Sequence, residues 1–472
     1  MIRRLFIYLL LGLPLSATAR LAEPLHPQQK AQVTADLADI RQRGELRVLI
    51  NQSRHSSAEV KGQVLGIELQ RVHSFVQYLS RDTQRPLRLR LIPKAKEQLL
   101  AALERGEGDL LAPGELLDIQ GDQQISPTRA TEAQVPMVLV SRQGSRRYRR
   151  LEELAGQNLP LPRGSAAAEA VRQLNEQLVQ RKLPPLLIEW VDGSLAVEDV
   201  LEMVQAGIYP FSVVEQSIAE RWVKVLPKLR VERHLQVGRR SDMHWWVRRD
   251  ARMLLAKADR FLQGYTPAGD RDAAFVRLNR RAYRVHYPLA RSDRQRLERV
   301  RGVLQRHAQQ VDLDWLSLAA LAFKESSLNP NARGANGASG LMQITKTAAQ
   351  SVGISNINTL EGNVQASSRY MAMLRRRFFA SAQIAEPERL AFTLAAYSMG
   401  PQRVQSLRAE ARRRGLNSNQ WFFQVERVAM EQMGLASVSY VSSVNKYHQA
   451  FVRERYSLDG QLSSKKKNQS IY

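Results

Sequence analysis

The 472-residue chain contains no cysteine. Disulfides, thiolate nucleophiles and thiolate metal sites are therefore excluded, and so is a lipidated cysteine as a membrane tether. The eight histidines are scattered without the close spacing of metal ligands, so neither a metal nor a cofactor is expected. After the first residues no apolar run is long enough to cross a bilayer. Negative charge is also scarce, with 45 Asp and Glu against 70 Lys and Arg and a formal charge of +25. Such an excess calls for polyanionic surroundings or for tolerance of self-repulsion. Its clusters, Arg375 to Arg377, Arg412 to Arg414 and Lys465 to Lys467, do not alternate with aromatics as a nucleic-acid surface would, and no nucleic-acid partner is expected.

Residues 1–19 place Arg3 and Arg4 before an apolar run from Leu5 to Leu15 and end on Ala17-Thr18-Ala19, the order of a cleaved signal peptide. Export fits the charge, because stem peptides of the cell wall and anionic lipid headgroups are acidic. An Arg-rich surface of solvated helix faces fits it equally. A chain of this length exceeds one hydrophobic core, so two or three domains are expected.

Residues 29–262 alternate strand and helix signals. Gly44 to Ile50, Leu87 to Ile92, Gly108 to Ala112, Pro136 to Ser141, Leu186 to Val191 and Phe211 to Val214 read as strands. Gly66 to Leu79, Glu97 to Glu104 and Ala196 to Gln205 read as helices, which together predict an α/β domain on a parallel sheet. Gly164 and Ser165 precede another helix, where free amides can meet an anion. Residues 263–286, with Pro267 and Gly269, read as the linker. Residues 287–455 carry only helical periodicity, and 456–472 form a basic tail.

The chemistry concentrates between Val311 and Gln343. Asp312 or Asp314 can cap a helix running through Trp315, Leu316, Ala319 and Phe323, and that helix delivers Glu325 at its end. A Gly/Asn/Ser/Pro-rich loop follows, then Gly340 to Gln343 turn toward a helix near Thr345 to Gln350. A carboxyl group in that apolar corner is expected to have a raised pKa. No Asp or Glu occurs from Ser326 to Leu360, so the second carboxylate of a two-carboxylate hydrolase is missing nearby. Glu361, Glu386, Glu388, Glu426 and Glu431 read as surface residues.

Glu325-Ser326, Gly340-Leu341-Met342-Gln343, Ala396-Tyr397 and Tyr440-Val441, in that order, resemble the lytic transglycosylase, goose-lysozyme-like domain, over Tyr287 to Val452. The resemblance implies Glu325 as a single acid and base that cleaves between N-acetylmuramic acid and N-acetylglucosamine and leaves a 1,6-anhydro ring. It implies substrate-side roles for Ser326, Met342, Gln343, Tyr397, Ser398 and Tyr440. Ser398 departs from the usual Asn after Ala-Tyr.

Gly66-Ile67-Glu68, the Gly106 to Asp109 turn, Leu151 to Gly156 and Glu198 to Leu201 resemble the two-lobed periplasmic solute-binding domain of the amino-acid type. An amino acid or a muropeptide would be its ligand. The usual carboxylate-gripping arginine is absent from Glu115 to Gln124, Arg129 lies beyond the expected position, and Glu68 stands where Asp is common. A sensor and a domain that has lost its ligand both remain open.

The whole order resembles the membrane-bound lytic murein transglycosylase F family. It implies a two-lobed α/β domain followed by an all-α lysozyme-like domain, peptidoglycan glycan strands as substrate, and a periplasmic location with peripheral attachment to the outer membrane. A water-adding muramidase and a non-catalytic peptidoglycan-binding or solute-sensing protein are the rival readings.

Overall fold

A left-handed Gly44 stops the first helix, Leu37–Arg43, and turns the chain into the strand Glu45–Asn51. The computed structural model describes residues 36–459 apart from 82–84, 120–123, 268 and 270. The expected signal segment 1–19 and the lysines of the tail lie outside the described residues.

The first lobe is built on a five-stranded sheet ordered Arg88–Lys94, Glu45–Asn51, Leu110–Ala112, Ser241–Arg248, Ile125–Val135. Its first three strands are parallel, with Val48 opposite both Leu91 and Leu110. Ser241–Arg248 runs antiparallel to both its neighbours, Leu110–Ala112 and Ile125–Val135, so the expectation of a parallel sheet is corrected to a mixed one. The physical reason is connectivity: Ser241–Arg248 returns from the other lobe rather than through a helical crossover. The strand Ile125–Val135 lies at the sheet edge, where Pro127 and an exposed polar face hide its periodicity.

Pro136 separates that strand from Met137–Arg142, which opens the second lobe. There Phe211–Glu215, Met137–Arg142 and Leu229–Gln236 form an antiparallel sheet, and Asn158–Leu161 pairs in parallel with Leu187–Trp190. The two lobes are thus joined by Pro136 and by residues 237–240.

Residues 287–455 are all-α, as expected. The helices are Arg291–Gln310, Trp315–Ser326, Lys346–Gln350, Leu360–Phe378, Glu386–Met399, Pro401–Arg413, Glu426–Met433 and Leu435–Arg453. The helical periodicity breaks before Glu426, because Phe422 is extended (ψ 126°) and Phe423 is left-handed (φ 62°). The amide donors there bond carboxylates instead of carbonyls: Trp421 and Phe422 donate to Glu388, and Phe423 donates to Glu426.

The stretch read as linker carries the helix Arg271–Ala282. Phe275 anchors it, edge-on to Trp222 at 5.1 Å and with the Arg221 guanidinium 3.7 Å from its ring centre. One continuous core runs from Leu201 and Trp222 of the second lobe through Phe275 and Tyr283 to Leu316, Phe323 and Phe451. The α/β and helical parts therefore pack as one compact unit.

Candidate active site

Every residue from Trp315 to Phe323 is buried, so this helix is the axis of the helical domain rather than a surface element. Asp314 is the residue that caps it, accepting from the Leu316 amide at 3.2 Å. The helix ends where Ser327 turns left-handed (φ 51°), and Glu325 emerges in that last turn, half-buried.

The helix Leu435–Arg453 runs antiparallel along it and brings Tyr440 to Glu325. Phe323 sets the register, packing edge-on to Tyr447 at 4.7 Å and to Phe451 at 6.3 Å. Two turns before Tyr447, the Tyr440 hydroxyl donates to Glu325 Oε1. Burial raises the Glu325 pKa, while the Tyr440 hydrogen bond and the Lys324 ammonium oppose that shift without cancelling it. Burial, and next the negative charge of Glu325, push the Tyr440 pKa far above its usual value, so the phenol stays a donor. Burial lowers the pKa of Lys324 in turn.

The Gly340–Gln343 turn is held against the acid by side chains that sequence reading assigned to substrate. Ser326 Oγ bridges the Ala322 and Leu341 carbonyls at 3.1 and 2.8 Å, tying the helix that carries Glu325 to the turn. Tyr397 donates to the Met342 carbonyl at 2.8 Å. The Gln343 amide donates to the carbonyls of Ala332 and Gly340 at 3.2 and 2.8 Å. Met342 is fully buried, so its side chain is not an apolar wall for a sugar; what it presents to Tyr397 is its carbonyl. The Ser326 hydroxyl and the Gln343 amide nitrogen are thus engaged with backbone carbonyls, and the Met342 side chain with the core. Ser398 is exposed at the end of its helix.

Asn363 was missed. It is 1% exposed and accepts from the Met342 amide at 2.8 Å while donating to the Ser339 and Ile357 carbonyls at 2.8 and 3.2 Å. A methyl group on Gly340, whose φ is +75°, would lie 2.4 Å from the Asn363 amide nitrogen. Glycine is required there for both reasons. Asn363 and Ser367 are polar residues one turn apart, and both are buried on the helix Leu360–Phe378.

Two of the carboxylates read as surface are not. Glu426 is 2% exposed and binds Arg54, and the half-buried Glu388 holds the Trp421 amide at 2.6 Å. Burial pushes Glu388 up to about 7. Neither is among the groups that act on Glu325, which are Tyr440 and Lys324. Among the described residues no group of acidic and histidine side chains is arranged to hold a metal, and no helix is long and apolar enough to cross a membrane. The Ser165 amide, expected free for an anion, donates to the Pro162 carbonyl at 3.2 Å, and the Ser165 hydroxyl accepts from Ala167.

Residues 302–420 match the Transglycosylase SLT domain family model, so the helical part of the chain carries such a domain. The match includes Glu325, the Gly340 turn, Asn363 and Tyr397 and stops before Tyr440. A protein of Ectopseudomonas mendocina named membrane-bound lytic murein transglycosylase F is 27% identical over 390 residues, 82% of this chain and 77% of that one. The protein of the same name from an Enterobacter species is 26% identical, covering 98% of this chain and 88% of its own. Among solved structures, an ancestral arginine-binding protein bound to arginine is 16% identical with a TM-score of 0.40, over 50% of this chain and 98% of that one. A solute receptor for L-cysteine of Neisseria gonorrhoeae is 13% identical with a TM-score of 0.41, over 52% and 93%.

Proposed function

We propose that the chain is a lytic transglycosylase of peptidoglycan in the bacterial envelope, in which Glu325 alone serves as acid and then as base. One observation carries this reading: a half-buried glutamic acid has one carboxyl oxygen held by a tyrosine and no carboxylate among its partners. With Oε1 held by Tyr440, Oε2 is the oxygen that faces the glycosidic bond. The protonated acid gives its proton to the bridging oxygen as the bond from muramic acid C1 to the leaving sugar breaks. The resulting carboxylate then takes the proton of the muramic C6 hydroxyl as that oxygen attacks C1. The ring closes to the 1,6-anhydro product, the acid is regenerated, and no water is consumed.

A single carboxylate cannot be both proton donor and enzymic nucleophile on the opposite ring face, so the nucleophile is not the enzyme's, and in this reading it is the substrate's own C6 hydroxyl rather than water. The raised pKa keeps Glu325 protonated further toward neutral pH, and the rigid Gly340–Gln343 turn fixes its surroundings. Digestion of purified sacculi by wild type and Glu325→Gln tests this. Wild type is expected to release muropeptides with anhydro ends and the variant none. Muropeptide release by Glu325→Gln at the wild-type rate would refute it.

A further inference from the structure

The strand Arg88–Lys94 is the outer strand of the first-lobe sheet and pairs only with Glu45–Asn51. The Arg88 amide donates to the Gly44 carbonyl at 3.0 Å, and the Lys94 carbonyl accepts from the Gln52 amide at 3.2 Å. Alternate residues from Arg88 to Lys94 thus turn their backbone groups inward to that neighbour, while Leu89, Leu91 and Pro93 turn theirs outward. At Pro93 the outer edge is closed, because its carbonyl accepts from the Gln424 side chain at 3.2 Å and proline has no amide to offer. At Leu89 and Leu91 it is open: among the described residues their amides and carbonyls meet no partner.

Proteins usually cover or blunt an edge of this kind. Here it lines a cavity of about 360 Å³ between the sheet and the helical domain, within the size range of small-molecule sites. Four consecutive strand residues, Arg88 to Leu91, line it, so the cavity runs along the edge rather than over one face. Across from them stand Leu416, Val428 and Arg427. Arg427 lies one turn beyond Gln424 and is half-buried, and its Nη1 donates to the carbonyl and the hydroxyl of Ser57, both at 3.0 Å. Among the described residues its Nε and Nη2 have no partner, and no carboxylate, Glu59 on the same wall included, lies within ion-pair distance of it. The other acids of the wall are engaged: Glu431 with Arg414, and Glu45 with Arg88 and Arg90 at 3.9 and 3.8 Å.

We propose that this edge is a binding site for a short extended peptide with a free carboxylate. The peptide adds a strand to the sheet, its backbone pairing with the outward groups of Leu89 and Leu91. Its apolar side chains lie against Leu416 and Val428, and its carboxylate meets the unused donors of the Arg427 guanidinium. Because Pro93 and Gln424 close the edge at one end, the site holds about three residues. It is separate from the cleft between the two lobes and spans the junction of the α/β and helical parts. The proposal stands apart from the reading of Glu325 and is tested without any activity assay.

The full chain is titrated calorimetrically with trialanine and with trialanine amide, and backbone hydrogen exchange is followed by mass spectrometry over residues 87–92. Trialanine is expected to bind saturably and to slow exchange at the Leu89 and Leu91 amides about tenfold or more, since these are the amides that gain a partner. The amide, which lacks the charged acceptor, is expected to bind about tenfold more weakly. Arg427→Gln is expected to bind the acid and the amide equally. Leu416→Trp, which fills the cavity without touching a charge, is expected to bind neither. Three results with the wild type overturn the proposal even if neither variant folds: no saturable binding of trialanine, equal affinity for acid and amide, or binding that leaves exchange at Leu89 and Leu91 unchanged, as a peptide seated between the lobes would.

Discussion

Removing the Tyr440 hydroxyl separates two effects on Glu325. The hydroxyl orients the carboxyl group and also favours its charged form, so in Tyr440→Phe burial acts with less opposition and the Glu325 pKa rises further. Because the first half of the reaction needs the protonated acid, the alkaline limb of the pH–rate profile is expected to move to higher pH. The maximal rate is expected to fall about 10- to 100-fold from lost orientation. An unshifted or acid-shifted limb in that profile contradicts the role assigned to Tyr440. At this scale the sequence showed which residues the fold would bring together better than what each of them touches. Glu325 could be placed because an apolar helix ends on it. What Ser326, Met342 and Gln343 touch within the fold was not legible, because a motif records that a side chain is needed, not whether it faces sugar or backbone. Asn363 carries no neighbouring catalytic residue to draw attention to it.

Two elements, the Gly340–Gln343 turn and the kink at Trp421–Val425, are built from polar groups rather than from propensity. Asn363→Ala would leave the Met342 amide and the Ser339 and Ile357 carbonyls without this partner. A loss of roughly 2–4 kcal/mol is expected in denaturant unfolding, because each orphaned buried group costs about 1–3 kcal/mol. At the kink, Glu388 has a folded-state pKa of about 7, above its unfolded value. The folded state therefore binds this proton more tightly, and the stabilisation is complete below the unfolded pKa and fades as pH rises through about 7. The Tm of the wild type is expected to fall from pH 5 to pH 8, and Glu388→Gln to flatten that fall by an amount on the order of 3 kcal/mol. A profile unchanged by the substitution contradicts this. Long amphipathic helices such as Leu360–Phe378 were legible from their period, whereas the kink was not: its carboxylate partner Glu388 is distant in sequence. The edge strand Ile125–Val135 was hidden for the opposite reason, having one polar face and Pro127 within it.

Across the whole molecule the α/β and helical parts share a core and a buried charge cluster. Arg54 joins Glu198, Asp199 and Glu426, and Lys446 joins Asp199 and Glu202 at 2.6 and 2.5 Å. Such a cluster adds little over an apolar core but is costly to break, since removing one partner strands buried charge. A single calorimetric transition is expected for the described fold, with Arg54→Ala lowering stability by about 3–5 kcal/mol. Two separated transitions in the wild type would contradict a shared core. Two domains were legible from the change of period near residue 287, but their union was not, because Arg54, Glu198 and Lys446 are far apart in the chain and each alone reads as solvated. Lys446 lies on the helix that also carries Tyr440, so the charge cluster and the partner of Glu325 share one element. The most direct check on that acid is digestion of sacculi in ¹⁸O-enriched water followed by mass spectrometry. The expected fragments end in anhydro rings, one water lighter than a hydrolysed end and free of the label, whereas ¹⁸O incorporated at the new muramic ends would show that water, not the sugar, is the nucleophile.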